Sequence, residues 1–250
     1  MEERPIVDRR PPTDFEHVLK YPGTALRGLQ RTVAEVEVTD LPLPNSYHAF
    51  YDQGREGACV GFGESIMMSI LNRKKYSALW LYHEAQAIDE WEDTPPEGGT
   101  SLRAGFDVLR TKGHSRFYAG HERPEELDEG IVDVNRWLTS VDQIRTYFAE
   151  MQAIGKRPVV CLGINWYDGL YEAVDKTVGR KVEKWVRSES EWGPIVGGHC
   201  ICAPLCSDER QAIGWLNSWG ELYPWPVWLS YRSLERLLAE QGEAAIITDR

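Results

Sequence analysis

Long apolar runs are missing from this chain of 250 residues, and none approaches the ~20 residues needed to cross a bilayer. The first residues, Met1-Glu2-Glu3-Arg4-Pro5, offer no apolar stretch that could act as a secretion signal. Membrane insertion and signal-driven secretion are therefore not expected, and a cytoplasmic location is. Basic runs are also missing. The formal net charge is −11, so a phosphate backbone would on average be repelled and nucleic acid is not an expected partner. Cysteine is scarce and odd in number: of Cys59, Cys161, Cys200, Cys202 and Cys206, four lie beyond residue 160. That distribution fits free thiols in a reducing compartment better than a disulfide framework. No internal repeat is visible.

What the chain does have is size and aromatic bulk. Its length suffices for one domain with a sizeable core. Ten tryptophans and eleven tyrosines supply rings for a core, a groove or an interface. Residues 1–30 are rich in Pro, Arg and charge and read as an irregular arm, able to dock on a protein partner; residues 31–250 read as the folded domain. Val33 to Val38 alternates like a short strand.

From Cys59 to about Lys74, Phe62, Ile66 and Ile70 recur every four residues, with Met67 and Leu71 widening the stripe. This spacing predicts an amphipathic helix with a buried face. Gly61 and Gly63 lower helix propensity in its first turns, which makes sense if another backbone packs closely there. A second helix is predicted from Ser77 to about Glu92 and a third from Ser101 to Gly113. Residues 114–137, with Pro124 and the acids Glu125 to Glu129, read as a polar linker, with His114 and His121 solvated on it. Val141 to Ile154 is helical again. Beyond it the pattern turns to strands: 158–164, 200–205 and 212–216, with 169–192 as an extended loop and a final helix near 234–238. Helices first and strands second predict an α+β fold in two lobes, about 50–125 and about 140–235.

One constellation carries chemistry. Gln53 precedes Cys59 by six positions, His199 follows in Gly197-Gly198-His199, and Asn217 follows in Asn217-Ser218-Trp219-Gly220. A helix beginning at Cys59 would place the sulfur near unpaired N–H groups and the positive end of the helix dipole, which favours thiolate. An imidazole in reach would take the proton. The Cys59 N–H and the Gln53 amide could donate to an oxyanion, Asn217 could orient the imidazole, and Trp219 could shield that bond. Taken singly, Cys59 also reads as an inert packed thiol and His199 as a core histidine; their order and spacing favour catalysis.

These motifs resemble those of the papain-like (C1) cysteine peptidases, and more closely their compact bacterial and phage-type members. The likeness spans roughly residues 33–232. It implies a fold with a helical left lobe, a β-rich, barrel-like right lobe and the active-site cleft between them. It also implies a thiol endopeptidase in which Cys59 is nucleophile, His199 base and then acid, Asn217 orienter and Gln53 oxyanion donor. Peptide or protein would be the substrate, and no cofactor or metal is expected. Gly198 and Trp219, flanking the site, are candidate substrate contacts. Gly98 and Gly99 fall near where the family pairs with extended substrate, though a plain turn before a helix explains them equally. His199 with Cys200, Cys202 and Cys206 lacks the paired spacing of structural zinc sites. The sequence departs from the family at Glu56 and Val60, at Pro204, which predicts an edge position or a bulge, and after Gly220, where Glu221-Leu222-Tyr223-Pro224-Trp225-Pro226 replaces a glycine-rich run. A papain fold retained as a structural or binding module, for instance within a phage particle, is the alternative reading.

Overall fold

The structure, a computed structural model, describes residues 50–89, 98–118, 121–128, 132 and 134–248. The arm and the strand expected at 33–38 lie outside the described residues. Helices α1 (Cys59–Asn72), α2 (Ala78–Gln86) and α3 (Leu102–Thr111) come first. A two-stranded hairpin of β1 (His114–Tyr118) and β2 (His121–Asp128) follows, then β3 (Val134–Leu138) and α4 (Val141–Ala153). The second half contains β4 (Val160–Tyr167), a 3₁₀ turn (Asp168–Tyr171), β5 (Ala173–Val178), β6 (Lys181–Val186), β7 (Ile195–Ser207), β8 (Ala212–Leu216), β9 (Val227–Ser230), α5 (Tyr231–Ala239) and β10 (Glu243–Thr248).

Eight strands form one sheet in the order β3-β10-β4-β7-β8-β9-β6-β5. All neighbours are antiparallel except β6 and β9. Strand alternation sorts its side chains between two cores. Leu162 and Ile164 of β4, Ile201 of β7 and Ile246 of β10 face one core with α4 and α5. Cys161, Cys200, Cys202 and Ile247 of the same strands face the other, with α1, α2 and α3. The fold is therefore α+β, with a helical layer on each face of the sheet. The sheet is open: its end strands β3 and β5 are not paired to each other, so the barrel expected for the β-rich half is not formed.

Other expectations also need correction. Residues 114–137 are not a linker but carry three strands, and His114 is fully buried rather than solvated. Its Nε2 meets Ser65 Oγ at 2.8 Å, and its ring stacks on Tyr76 at 4.5 Å between centroids. Of the acids at 125–129, Asp128 is no plain solvated charge: it accepts from Lys74 Nζ and the Tyr76 hydroxyl at 2.8 and 2.7 Å. The loop expected at 169–192 contains the β5–β6 hairpin. Pro204 lies in an interior strand, and the register of β7 on β8 shifts between Cys202 and Leu205, so the bulge is the alternative realised.

Gly61 behaves as its position in a helix suggested. A Cβ there would sit 2.5 Å from the Ala78 carbonyl oxygen and 2.8 Å from Tyr82 Cβ. At Gly63 the close neighbour is instead a side chain, Cys200 Sγ at 2.5 Å from the built Cβ. Gly61→Ala gains roughly 0.5–1 kcal/mol in helix propensity. It meets a backbone carbonyl that cannot rotate away, an overpacking cost of roughly 1–3 kcal/mol. We expect a net loss of about 1–2 kcal/mol, seen as a Tm lower by roughly 2–8 °C in thermal denaturation; an unchanged or raised Tm would contradict this packing.

Candidate active site

The helix starts differ in a way that bears on Cys59. Ser77, Ser101, Ser140 and Ser230 each cap a helix, accepting from a backbone N–H three residues on. Helix α1 alone among these has no side-chain cap: Ala58 occupies its N-cap and Cys59 its first turn, with no acidic residue in that turn. The partial positive charge at this end of the helix acts on the Cys59 thiol.

Two backbone ties bring the segment before Cys59 to the segment around Asn217. The Gln53 N–H donates to the Ser218 carbonyl at 2.8 Å, and Asp52 bridges Trp219 in antiparallel pairing. From the other side, α1 packs against β7, where Gly63 meets Cys200, the residue after His199. On β7, His199 points away from Cys200 and toward Trp166, whose ring lies 4.6 Å from the imidazole.

Hydrogen bonds settle the proton positions at the imidazole. The Ser218 N–H donates to Asn217 Oδ1 at 2.8 Å, which identifies that atom as the carbonyl oxygen. His199 Nε2 lies 2.8 Å from the same oxygen and must therefore carry the hydrogen. Nδ1 is then the unprotonated nitrogen of a neutral ring; it is enclosed and makes no hydrogen bond. Burial pushes the imidazole down to about 4, although the Asn217 bond acts in the opposite direction. At neutral pH His199 is thus in the form that can accept a proton at Nδ1. Trp219 stacks on the imidazole at 5.1 Å and 27°.

Ser218 was not singled out in the sequence, yet it joins two of the candidates. While its N–H orients Asn217, its hydroxyl donates to Gln53 Oε1. That bond fixes the Gln53 amide with its nitrogen as the donor end, and Nε2 gives one hydrogen to the Glu56 carbonyl at 2.9 Å. All four chemical candidates are enclosed, with exposures of 2% for Cys59 and His199, 3% for Gln53 and 8% for Asn217. Gly198 lies beside His199 on β7, paired with Asn165 of β4. Gly98 and Gly99 lie in the turn before α3; the Gly99 carbonyl accepts from Gln86 Nε2 at 3.3 Å, and Asp89 holds Thr100 and Ser101. All five cysteines are free thiols. Among the described residues no cluster of three or more His, Cys, Asp or Glu could hold a metal, and no helix is long and apolar enough to cross a membrane.

Among solved structures, the chain is similar to xylellain, a cysteine protease from Xylella fastidiosa. The TM-score is 0.62 at 16% identity, over 99% of this chain and 98% of that one. The fold is papain-like. Two further papain-fold structures agree. Procathepsin B from Trypanosoma congolense aligns with a TM-score of 0.56 at 10% identity, over 98% of this chain and 87% of its own. Digestive procathepsin L2 from the larval midgut of Tenebrio molitor aligns at 0.54 and 14%, over 96% and 74%. No family model matches the chain. No curated protein sequence matches it either.

Proposed function

We propose that this papain-fold chain is a thiol-dependent endopeptidase acting on peptide or protein substrates. The observation that carries the reading is the hydrogen-bonded set His199–Asn217–Ser218–Gln53, arranged beside a helix that starts uncapped at Cys59. It supplies the groups that acyl transfer needs, in the protonation states it needs.

In this mechanism His199 Nδ1 takes the Cys59 proton as the sulfur attacks the scissile carbonyl carbon. The carbonyl electron pair moves onto oxygen, where the Cys59 N–H and Gln53 Nε2 donate to it. Collapse of the tetrahedral intermediate breaks the C–N bond; the imidazolium returns its proton to the departing amine and a thioester remains. Water attacks the thioester with His199 again as base, and the thiol leaves protonated. Asn217 holds the ring so that Nδ1 serves the sulfur throughout, and Trp219 keeps water from the Nε2–Oδ1 bond. Gly198, next to His199 on β7, and Trp219, stacked on its ring, are the residues we assign to substrate contact beside the imidazole. Gly98, half-buried, is the glycine of this pair with backbone for an extended peptide, since Gly99 is buried and its carbonyl already accepts from Gln86.

The near-complete enclosure of Cys59 and His199 favours a second reading, in which the papain fold serves as a structural or binding module and the arm at 1–30 docks on an assembly partner. A peptidyl epoxide or vinyl sulfone separates the two. The peptidase reading expects stoichiometric labelling at Cys59, located by peptide mass spectrometry, together with loss of casein or denatured-protein hydrolysis. A protein that stays unlabelled after prolonged incubation, and cleaves no peptide library, favours the module.

A further inference from the structure

Asn217 does more than accept from the imidazole. Its Oδ1 receives two N–H groups, from His199 Nε2 and from Ser218, so its NH₂ points away from both. There Nδ2 is enclosed and has no partner in ordinary hydrogen-bond geometry. Among the other enclosed polar atoms in the same condition are the indole N–H of Trp215 and the hydroxyl of Tyr223. The Asn217 amide and the Trp215 indole are the polar groups nearest that hydroxyl in effect, each acting on it as a donor would. Indole N–H groups only donate, so neither Trp215 nor Trp219 can serve Nδ2; a phenol oxygen has lone pairs to accept with. Two donors and one acceptor therefore converge.

The backbone explains how a tyrosine arrives there. Gly220 adopts φ +76°, a left-handed conformation suited to glycine, and the Tyr223 N–H closes the turn on the Gly220 carbonyl at 3.3 Å. Within that turn Leu222 is fully exposed, while the Tyr223 ring stands edge-on to Trp219 at 5.0 Å and 88°. Trp219 in turn stacks on His199. Tyr223 thus touches the cover of the imidazole and reaches the back of its orienting amide.

We infer that Tyr223 is a positioning residue for the His199–Asn217 pair, its hydroxyl taking the Asn217 Nδ2–H and holding Oδ1 toward the imidazole. The inference rests on the peptidase reading above. Its chemical consequence is a choice of tautomer. With Oδ1 toward the ring, Nε2 carries the hydrogen and Nδ1 can accept a proton. A flipped amide would present NH₂ to Nε2 and favour hydrogen on Nδ1, which can then no longer act as base toward the thiol. A Tyr223 acceptor opposes that flip from the far side of the amide, while Ser218 opposes it from the near side.

The test is the pH dependence of Cys59 alkylation by iodoacetamide, measured on wild type, Tyr223→Phe, Asn217→Ala, the double variant and Leu222→Ala as a control from the same turn. Wild type and Leu222→Ala are expected to show a plateau of base-assisted alkylation reaching below neutral pH. Tyr223→Phe, which keeps the ring and loses only the oxygen, is expected to have its alkylation profile displaced upward by about one pH unit, so that it reacts up to about tenfold more slowly on the acid side of the wild-type plateau. In the double variant the Tyr223 change adds nothing to the Asn217 loss, because it acts through that amide. A Tyr223→Phe profile that matches wild type, or losses that simply add, overturns the inference and leaves the peptidase reading standing. A wild-type thiol that alkylates only as a free cysteine overturns the peptidase reading and this inference with it.

Discussion

Cys59→Ala is expected to lower peptide hydrolysis by at least about 10³-fold while leaving the fold in place. No other group in the arrangement can form the thioester. His199 is held by Asn217 as a base, and Gln53 is held by Ser218 as a donor, so the variant retains only binding and electrostatic assistance. The stability cost is small by comparison. Cysteine to alanine removes a single sulfur from a site at the start of α1, and such a truncation falls within the usual range of roughly 0.5–3 kcal/mol. A useful contrast is Cys206→Ala. Cys206 lies at the far end of β7, in contact with the Tyr231 hydroxyl at 3.0 Å, and its loss should leave kcat/KM within about twofold. The measurement is kcat/KM on a fluorogenic peptide with thermal denaturation of each variant. Retained hydrolysis in Cys59→Ala would exclude a mechanism through this thiol.

Glu64→Gln is expected to change the pH profile of stability more than any other single substitution in α1. Glu64 is completely buried, and neither carboxyl oxygen has a hydrogen-bond partner. It lies against Gly105 of α3, where an added Cβ would come within 2.2 Å of Oε2. Burial raises its pKa well above 4.5, and the negative charge that Cys161, Asp107 and Glu243 can carry adds to the rise. The sign follows from which state holds the proton. Above pH 4.5 the unfolded chain ionises this carboxyl while the folded chain keeps it protonated, so the unfolded state gains and stability falls as pH rises. The loss approaches ~1.4 kcal/mol per pH unit until the folded carboxyl itself ionises. Glutamine removes that term. The stability difference between variant and wild type should therefore grow in favour of the variant from pH 5 to pH 8. Urea denaturation followed by tryptophan fluorescence at several pH values measures it; a difference independent of pH would show that Glu64 is ionised in the folded protein.

His114 sets the opposite limit. Its burial lowers it to about 3 from 6.5, so the unfolded chain gains a proton first as pH falls through 6.5, and stability is lost toward acid. His199, lowered to about 4, acts in the same direction. Buried neutral histidines thus cost stability on the acid side, and a buried neutral carboxyl costs it on the alkaline side.

Neither limit was legible in the sequence, and the reason is physical. Glu64 stands between Gly63 and Ser65 in the chain and off the stripe of Phe62, Ile66 and Ile70, so that stripe alone places it toward water. What encloses it is α3, which approaches closely because residue 105 is glycine. His114 opens a segment of polar residues whose alternation is too weak to read as strands. Its burial depends on Ser65, Tyr76 and Trp80, all contributed by the helices or the connection between them. The β5–β6 hairpin was hidden for a related reason: Asp175, Lys176 and Lys184 are charged and exposed, and such a stretch reads as loop.

The candidate site was far more legible, because its residues are tied to local motifs. Gln53 and Cys59 sit six residues apart, and Asn217, Ser218 and Trp219 are consecutive, so each group carries its own geometry with it. The stripe of α1 and the alternation of the central strands likewise follow from side-chain periodicity, which local sequence determines. Tertiary structure decided the rest: that Ser218 joins Gln53 to Asn217, that Trp219 and Tyr223 enclose the imidazole pair, that the sheet stays open, and that Glu64 and His114 are neutral. Those outcomes depend on desolvation and on donor–acceptor matches between segments far apart in the chain, and neither is a property of any local stretch of sequence.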